Sequence, residues 1–169
     1  MILTKSELLA SLQKEVRILL HLAGKIDSEQ LAYRPSPKQR STLELLQYLT
    51  YMGPMMVRYA KGEKIDADTW PPVVQAASAR GFDQTLAAIK AQDETYAALL
   101  ADMDDSAFRA EINGFDGAKT SCGAFIVNHV IGQCAAYRTQ LFLYLKACGH
   151  EELSTMNLWV GVDPPPVVH

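Results

Sequence analysis

The sequence has few cysteines and no dense run of basic residues. Cys122, Cys134 and Cys148 are the three cysteines among 169 residues. The count is odd and no pair has CxxC spacing, so we predict neither a disulfide framework nor a thiolate zinc site. Lys and Arg number 16 against 19 Asp and Glu, a net charge of −3. That balance argues against a nucleic-acid-binding surface.

Long apolar segments are also missing. Charged residues interrupt the N-terminal region from Lys5 to Arg17, which therefore does not resemble a signal peptide. No apolar stretch is long enough to span a membrane, so we predict a cytoplasmic protein without membrane contact. The sequence contains no nucleophile elbow, phosphate-binding loop or dinucleotide fingerprint. These absences remove several large enzyme classes.

What the sequence does contain is helical periodicity over most of its length. Hydrophobic residues make up 49% of the chain, enough for one core, and we predict a single domain over residues 1–169. Capping-box spacing at Thr4–Glu7 and Ser41–Glu44 marks two helix starts. We predict four long helices, at about 5–24, 42–61, 82–103 and from Thr120 or Ser121 to Gly149.

The segments between these helices carry the helix-breaking residues. Pro54 falls inside the second helix and predicts a kink or a break there. Residues 63–81 are a long connection in which Pro71 and Pro72 favour the start of a short helix. We expect a loop over residues 104–118 with one helical turn near 106–110, and an irregular C-terminal tail. The fold class is therefore all-α, an up-down four-helix bundle with a long helix 2–3 connection.

Two stretches of this sequence resemble the DinB-like superfamily. They are YRPSPKQRSTLELLQYL, which leads into helix 2, and HVIGQCAAYRTQLFLYLKACG in helix 4. The order of helices and loops agrees over nearly the whole chain. The resemblance implies a four-helix bundle. It also implies three inward histidines around a divalent metal such as zinc or nickel, and in metal-binding members thiol-dependent transferase or isomerase activity.

The residues at the matching positions are not histidines. The helix 2 pattern E-L-L-x-H-L has Tyr48 in place of its histidine, and the helix 4 pattern H-x-x-x-H-R-G-Q has Gln133 and Tyr137. Arg138 and Gln140 anchor the second alignment. Zinc and nickel prefer imidazole, thiolate or carboxylate donors, and a tyrosine must first lose a proton with a pKa of about 10. We therefore expect no metal and no cofactor.

The remaining candidate site is a polar stripe on helix 4. His129, Gln133 and Tyr137 are spaced four apart and share one helix face. Tyr48 is expected to approach this stripe from helix 2 and Asp93 from helix 3. Three interpretations stay open: a buried hydrogen-bond network, a small-molecule pocket, or a catalytic site in which His129 and Asp93 transfer a proton.

Three functions follow from these interpretations. The first is a metal-free DinB-like protein that binds a small molecule without catalysis. The second is a transferase-like enzyme that uses His, Tyr and Asp chemistry. The third is a structural or interaction homodimer with no ligand site. Met52, Met55 and Met56 form an apolar cluster on helix 2 that is typical of core filling and also suits a subunit interface, so we predict a homodimer.

Overall fold

Four helical segments pack side by side, and three of them are interrupted. The computed structural model describes residues 3–165 of the chain. In chain order its elements are α1 (Lys5–Ala23), a 3-10 turn (Ser28–Ala32), α2 (Thr42–Leu49), α3 (Met52–Ala60), α4 (Trp70–Ser78), α5 (Phe82–Lys90), α6 (Gln92–Leu100), α7 (Asp105–Arg109), β1 (Glu111–Asn113), β2 (Lys119–Ser121), α8 (Cys122–Ile126), a π-helical turn (Val127–Ile131), α9 (Gly132–Ala147) and α10 (Thr155–Trp159). The predicted all-α bundle is confirmed.

The four segments are α1, α2 with α3, α5 with α6, and α8 through α9. α1 lies against α6 and α9, and α2 lies against α9 and α5, so each segment touches two neighbours. α4 occupies the long connection between the second and third segments and covers α2. No helix within residues 3–165 has the length and apolar character needed to cross a membrane.

Capping residues start the first two long segments as the sequence predicts. The Thr4 side chain accepts from the backbone N–H of Glu7, whose carboxylate accepts from the Thr4 N–H. Ser41 and Glu44 repeat this reciprocal pair at the start of α2. Each pair satisfies two backbone donors that helix geometry leaves free, which fixes where the helix begins.

The predicted interruption of helix 2 is real, but it lies before Pro54. α2 ends at Leu49, and α3 begins at Met52, so Pro54 falls in the first turn of a new helix. A proline is tolerated there because first-turn N–H groups have no intrahelical acceptor. The Arg80 guanidinium donates to the Thr50 hydroxyl at 2.9 Å and holds the break in place.

Two further expectations about local structure are wrong. The helical turn predicted near 106–110 is present as α7, but Glu111–Asn113 is a strand and not a loop. It pairs antiparallel with β2, with Glu111 opposite Ser121 and Asn113 opposite Lys119. The C-terminal tail is not wholly irregular, since α10 forms within it and Ser154 caps that helix. Helix 3 is also divided, at Ala91, where the Gln92 side chain turns inward and donates to the Leu49 carbonyl at 2.7 Å.

The core lies where the four segments meet, and Tyr96 is its largest fully buried side chain. The Tyr96 hydroxyl points at Gly53 of α3 and lies beside Val130 of the π-helical turn. It has no hydrogen-bond partner within the described residues. Gly53 is therefore required for steric reasons, because any Cβ at this position would overlap the Tyr96 hydroxyl.

The C-terminal segment is held against α1 by the buried side chain of Asn157. Asn157 Oδ1 accepts from the Ser154 backbone N–H at 2.8 Å, which fixes the orientation of the amide. Its Nδ2 then donates to His21 Nε2 at 3.0 Å and to Asp163 Oδ1 at 2.9 Å. His21 Nε2 must carry a lone pair to accept this bond, so the arrangement requires a neutral imidazole.

We expect Gly53→Ala to destabilise the fold by about 1–3 kcal/mol because the added methyl group overpacks the core. In a Tyr96→Phe background the overlapping hydroxyl is gone, and the same substitution should cost much less. Urea unfolding of the two single variants and the double variant measures this coupling. Equal costs of Gly53→Ala in both backgrounds would contradict the contact.

We expect the fold to lose stability as His21 becomes protonated. Burial lowers the pKa of His21 from its ordinary value of 6.5; Lys25 lowers it further and Asp163 opposes the shift. A lowered pKa means that the stabilising contribution is present above about pH 6.5 and is lost as the pH falls through the folded-state value. Urea unfolding at about pH 7 and about pH 5 should show the loss, and His21→Gln should flatten it. An unchanged pH slope in the variant would rule out this role.

Candidate functional site

Tyr48 of α2 and Tyr137 of α9 meet at the boundary between these two helices. Their ring centroids are 5.1 Å apart in an edge-to-face arrangement. Tyr51 lies 5.4 Å from Tyr48, and Trp70 at the start of α4 lies 5.4 Å from Tyr51. The four rings form a continuous aromatic surface, which we call the tyrosine cluster. Edge-to-face pairs of this kind add stability beyond the apolar area they bury.

A pocket of about 280 Å³ opens beside the tyrosine cluster, between α2 and α4. Its lining residues are Arg40, Glu44, Gln47, Tyr48, Tyr51, Val74 and Ser78. Gln47 sets the position of the far wall, because its side-chain amide donates to the Ser78 carbonyl at 3.3 Å and to the Arg80 carbonyl at 2.7 Å. The end of α4 is thereby fixed to α2, and the pocket is part of the folded scaffold.

The two charged residues of this pocket differ in their partners. The Glu44 carboxylate pairs with Arg34 at 3.1 Å and closes the capping box with the Ser41 N–H, so its acceptors are used. The Arg40 guanidinium lies over the Tyr48 ring, 4.0 Å from its centroid. Within residues 3–165 the Arg40 side chain has no hydrogen-bond or ion-pair partner. The pocket therefore presents an unpaired cation on an aromatic face.

A second opening lies on the other side of Trp70. It has a volume of about 500 Å³, and its lining residues are Met56, Ile65, Asp66, Ala67, Trp70, Pro71 and Phe115. Trp70 and Phe115 are its two aromatic walls. Asp66 pairs with Lys64 at 2.9 Å and accepts from backbone N–H groups of its own turn, so its carboxylate oxygens already have partners from nearby residues.

His129 does not line this second opening; it contacts Phe115, one of its walls, and has no ring contact with the tyrosine cluster among the described residues. Its ring is 4.4 Å from that of Phe125 and 5.4 Å from that of Phe115. It sits in the π-helical turn, eight residues before Tyr137, and eight helical residues span about 12 Å. The predicted stripe of His129, Gln133 and Tyr137 is half-buried along its length, and its two ends have different neighbours.

Asp93 is placed towards α1. Its backbone carbonyl accepts from the Gln13 side chain at 3.3 Å, and its Oδ1 is buried without a hydrogen-bond partner among the described residues. No hydrogen bond or ring contact within residues 3–165 joins Asp93 or Gln133 to Tyr48 or His129. Of the five residues predicted for the site, Tyr48 and Tyr137 are brought into direct contact.

Sequence reasoning did not include Arg40, Tyr51 and Trp70 in the site. Tyr51 follows Tyr48 by three residues, a spacing that places two side chains on one helix face, and this was the available signal. Arg40 directly precedes the Ser41 cap, so its position follows from the helix start. Nothing in the local sequence links Trp70 to α2, because the contact depends on how α4 folds back.

Burial makes two tyrosines of this site, Tyr48 and Tyr51, weaker acids than a free tyrosine. The pKa of Tyr48 is raised, first by burial and then by the adjacent Tyr137 phenol, while Arg40 partly opposes the shift. Burial likewise raises the pKa of Tyr51. A neutral phenol is a poor metal ligand. Within residues 3–165 no group of three or more His, Cys, Asp or Glu side chains is arranged to hold a metal ion.

The fold resembles that of a solved structure. The crystal structure of a DinB-like protein, YjoA from Bacillus subtilis, superposes with a TM-score of 0.64 at 17% sequence identity. The match covers 87% of this chain and 95% of that one, so the likeness extends over the whole bundle. At this identity it shows a common fold. No curated protein matches the chain.

A family model also matches the sequence directly. The model of the DinB superfamily matches residues 11–135, well over half of the chain. The matched region includes Tyr48 and Gln133 and ends before Tyr137 and Arg138. The matched sequence and the helical architecture agree, and the chain belongs to the DinB superfamily.

Proposed function

We propose that this protein binds a small aromatic anion in the pocket beside the tyrosine cluster, without a metal ion and without catalysis. The observation that carries the proposal is the Arg40 guanidinium, which stacks on Tyr48 and has no acidic partner within the described residues. Tyr48 and Tyr51 offer aromatic surface for a planar ligand, and Arg40 offers donors for a carboxylate or phosphate.

The donor atoms at the family's metal positions support a metal-free site. The rings of Tyr48 and Tyr137 contact one another, and the raised pKa of Tyr48 disfavours the phenolate that a metal would need. The third position, Gln133, supplies only an amide. Zinc and nickel sites use imidazole, thiolate or carboxylate, and none of these three side chains provides one.

The enzyme alternative has less support from the described geometry. A proton-transfer pair needs its two groups within hydrogen-bond reach of a common substrate. His129 contacts Phe115 and Phe125, and no hydrogen bond within the described residues joins it to Asp93, whose Oδ1 has no partner there. The homodimer remains a prediction, but its apolar surface is smaller than expected, because Met52 and Met56 are buried in the core.

We expect naphthoate to bind this pocket and change the fluorescence of Trp70. A Trp159→Phe protein leaves Trp70 as the single tryptophan reporter. Arg40→Gln should weaken naphthoate binding by about tenfold, the effect of losing one charged hydrogen bond. Binding of neutral naphthalenemethanol should change little, and Arg17→Gln, at an exposed arginine of α1 outside the pocket, is the matched control. The absence of a saturable response, or equal naphthoate affinity in the Arg40→Gln protein, would refute the proposal.

We expect the natural protein to show no thermal stabilisation by zinc or nickel in excess. Restoring the family's histidines with Tyr48→His, Gln133→His and Tyr137→His together should create a site that binds about one equivalent and raises the Tm. Metal content by mass spectrometry and thermal unfolding test both proteins. One equivalent of tightly bound metal in the natural protein would contradict the metal-free proposal while leaving the Arg40 pocket to its own test.

A further inference from the structure

A third cavity of the described chain lies away from the tyrosine cluster. It has a volume of about 710 Å³ and is enclosed by the start of α1, by α7, and by α8 with the π-helical turn. It shares no lining residue with either of the two openings beside Trp70. Ligand pockets of proteins commonly fall in the range of about 300–1,000 Å³.

Its walls are mainly apolar. They are formed by Leu3 and Leu8 from the N-terminal region, Phe108 from α7, and Ala124 and Val127 from the last segment. Leu3 and Val127 are both exposed large hydrophobic residues, each 37% accessible. Apolar side chains that line a recess and remain open to water gain free energy when an apolar ligand covers them.

Small residues create the space. α8 turns Gly123 and Ala124 towards α7, where larger side chains would fill the gap. Gly123 packs tightly, because a Cβ there would lie 3.2 Å from the Phe108 carbonyl oxygen. Ala124 is the wall position at which a larger side chain would enter the cavity.

Charged residues of both signs line the same cavity. Arg109, the last residue of α7, has no hydrogen-bond or ion-pair partner within residues 3–165. The Lys5 ammonium donates to the Ala101 carbonyl at 3.1 Å and has no carboxylate within ion-pair distance in that part of the chain. Asp105 is the one carboxylate of the lining, one helical turn before Arg109, and it forms no ion pair with Arg109. The charge balance therefore favours an anion.

We propose that this cavity binds a long-chain amphipathic carboxylate of the fatty-acid type. The alkyl chain lies along Leu8, Phe108 and Val127, and the carboxylate meets the Arg109 guanidinium. Apolar burial of the chain supplies affinity, and the charged pair selects an acid over the corresponding alcohol. This site is separate from the pocket at Arg40, and neither proposal depends on the other.

The test is binding of laurate and lauryl alcohol to the full-length protein below their aggregation concentrations, measured by calorimetry. We expect saturable binding of one laurate, with lauryl alcohol at least about tenfold weaker. Ala124→Leu should abolish binding of both probes by filling the cavity. Arg109→Gln should bring laurate down to the affinity of the alcohol, and Asp105→Asn should strengthen laurate binding. Arg17→Gln, at an exposed arginine of α1 that lines neither pocket, is the control and should leave laurate binding unchanged.

Two results would overturn the proposal. One is laurate binding that is absent, or that Ala124→Leu and Arg109→Gln leave unchanged in proteins whose urea unfolding matches that of the natural chain. The other is a dimer, detected by analytical ultracentrifugation, that Ala124→Leu converts to a monomer while laurate does not bind. In that case a second copy of the chain covers the cavity.

Discussion

The buried ion pair between Arg138 and Glu15 is the constraint on which the arrangement of the bundle depends. Arg138 is 3% exposed, and its guanidinium donates to a Glu15 carboxylate oxygen at 3.1 Å. Arg138 Nε and Glu15 Oε2 are buried without hydrogen-bond partners among the described residues. Burial raises the pKa of Glu15 although Arg138 opposes the shift, so desolvation outweighs the attraction at the carboxylate.

Such a pair is tolerated only where the surrounding structure keeps it in place, and the C-terminal segment does so here. Trp159 of α10 lies over the Arg138 guanidinium, 5.0 Å from the ring centroid. Gly161, with a φ of +74°, lets the chain pass so close to α1 that a Cβ would come within 3.0 Å of the Ile18 backbone. The segment after α9 is therefore a required cover for the ion pair, and its contacts with α1 explain why a stretch rich in Gly and Pro is ordered.

Arg138 also determines where the candidate site lies. Adjacent residues on a helix point about 100° apart, so fixing Arg138 against α1 turns Tyr137 towards α2. Tyr137 then meets Tyr48 in an edge-to-face contact. The residue that anchors the helix 4 resemblance is thus a structural one. A match to the family pattern at Arg138 therefore indicates how helix 4 is oriented and does not indicate metal binding.

The sequence predicts the parts of this molecule that depend on local chemistry. The capping pairs at Thr4 and Ser41 give helix starts to the residue, because both partners lie within one turn. The Tyr48–Tyr137 contact was predictable only through the family alignment. The hairpin after α7 was missed because its strands are three residues long, too short for an alternating pattern to be recognised. Arg40 and Trp70 were missed because tertiary packing alone brings them to α2.

Two of the helix interruptions lie beside one core residue, Tyr96, and they shape the site. The Tyr96 hydroxyl lies in the bundle at the level where α3 begins and where α8 is followed by the π-helical turn. Its neighbours there are Gly53 of α3 and Val130 of the π-helical turn. If the helices were uninterrupted at the level of Tyr96, their backbone geometry would be regular and larger side chains would occupy this level. The break before α3 separates Tyr51 from the rest of its helix and lets its ring reach Trp70, while the π-helical turn directs His129 towards Phe115. Because Tyr96 packs beside both interruptions, we expect a change at Gly53 or Tyr96 to alter the two openings beside Trp70 even though neither residue lines them.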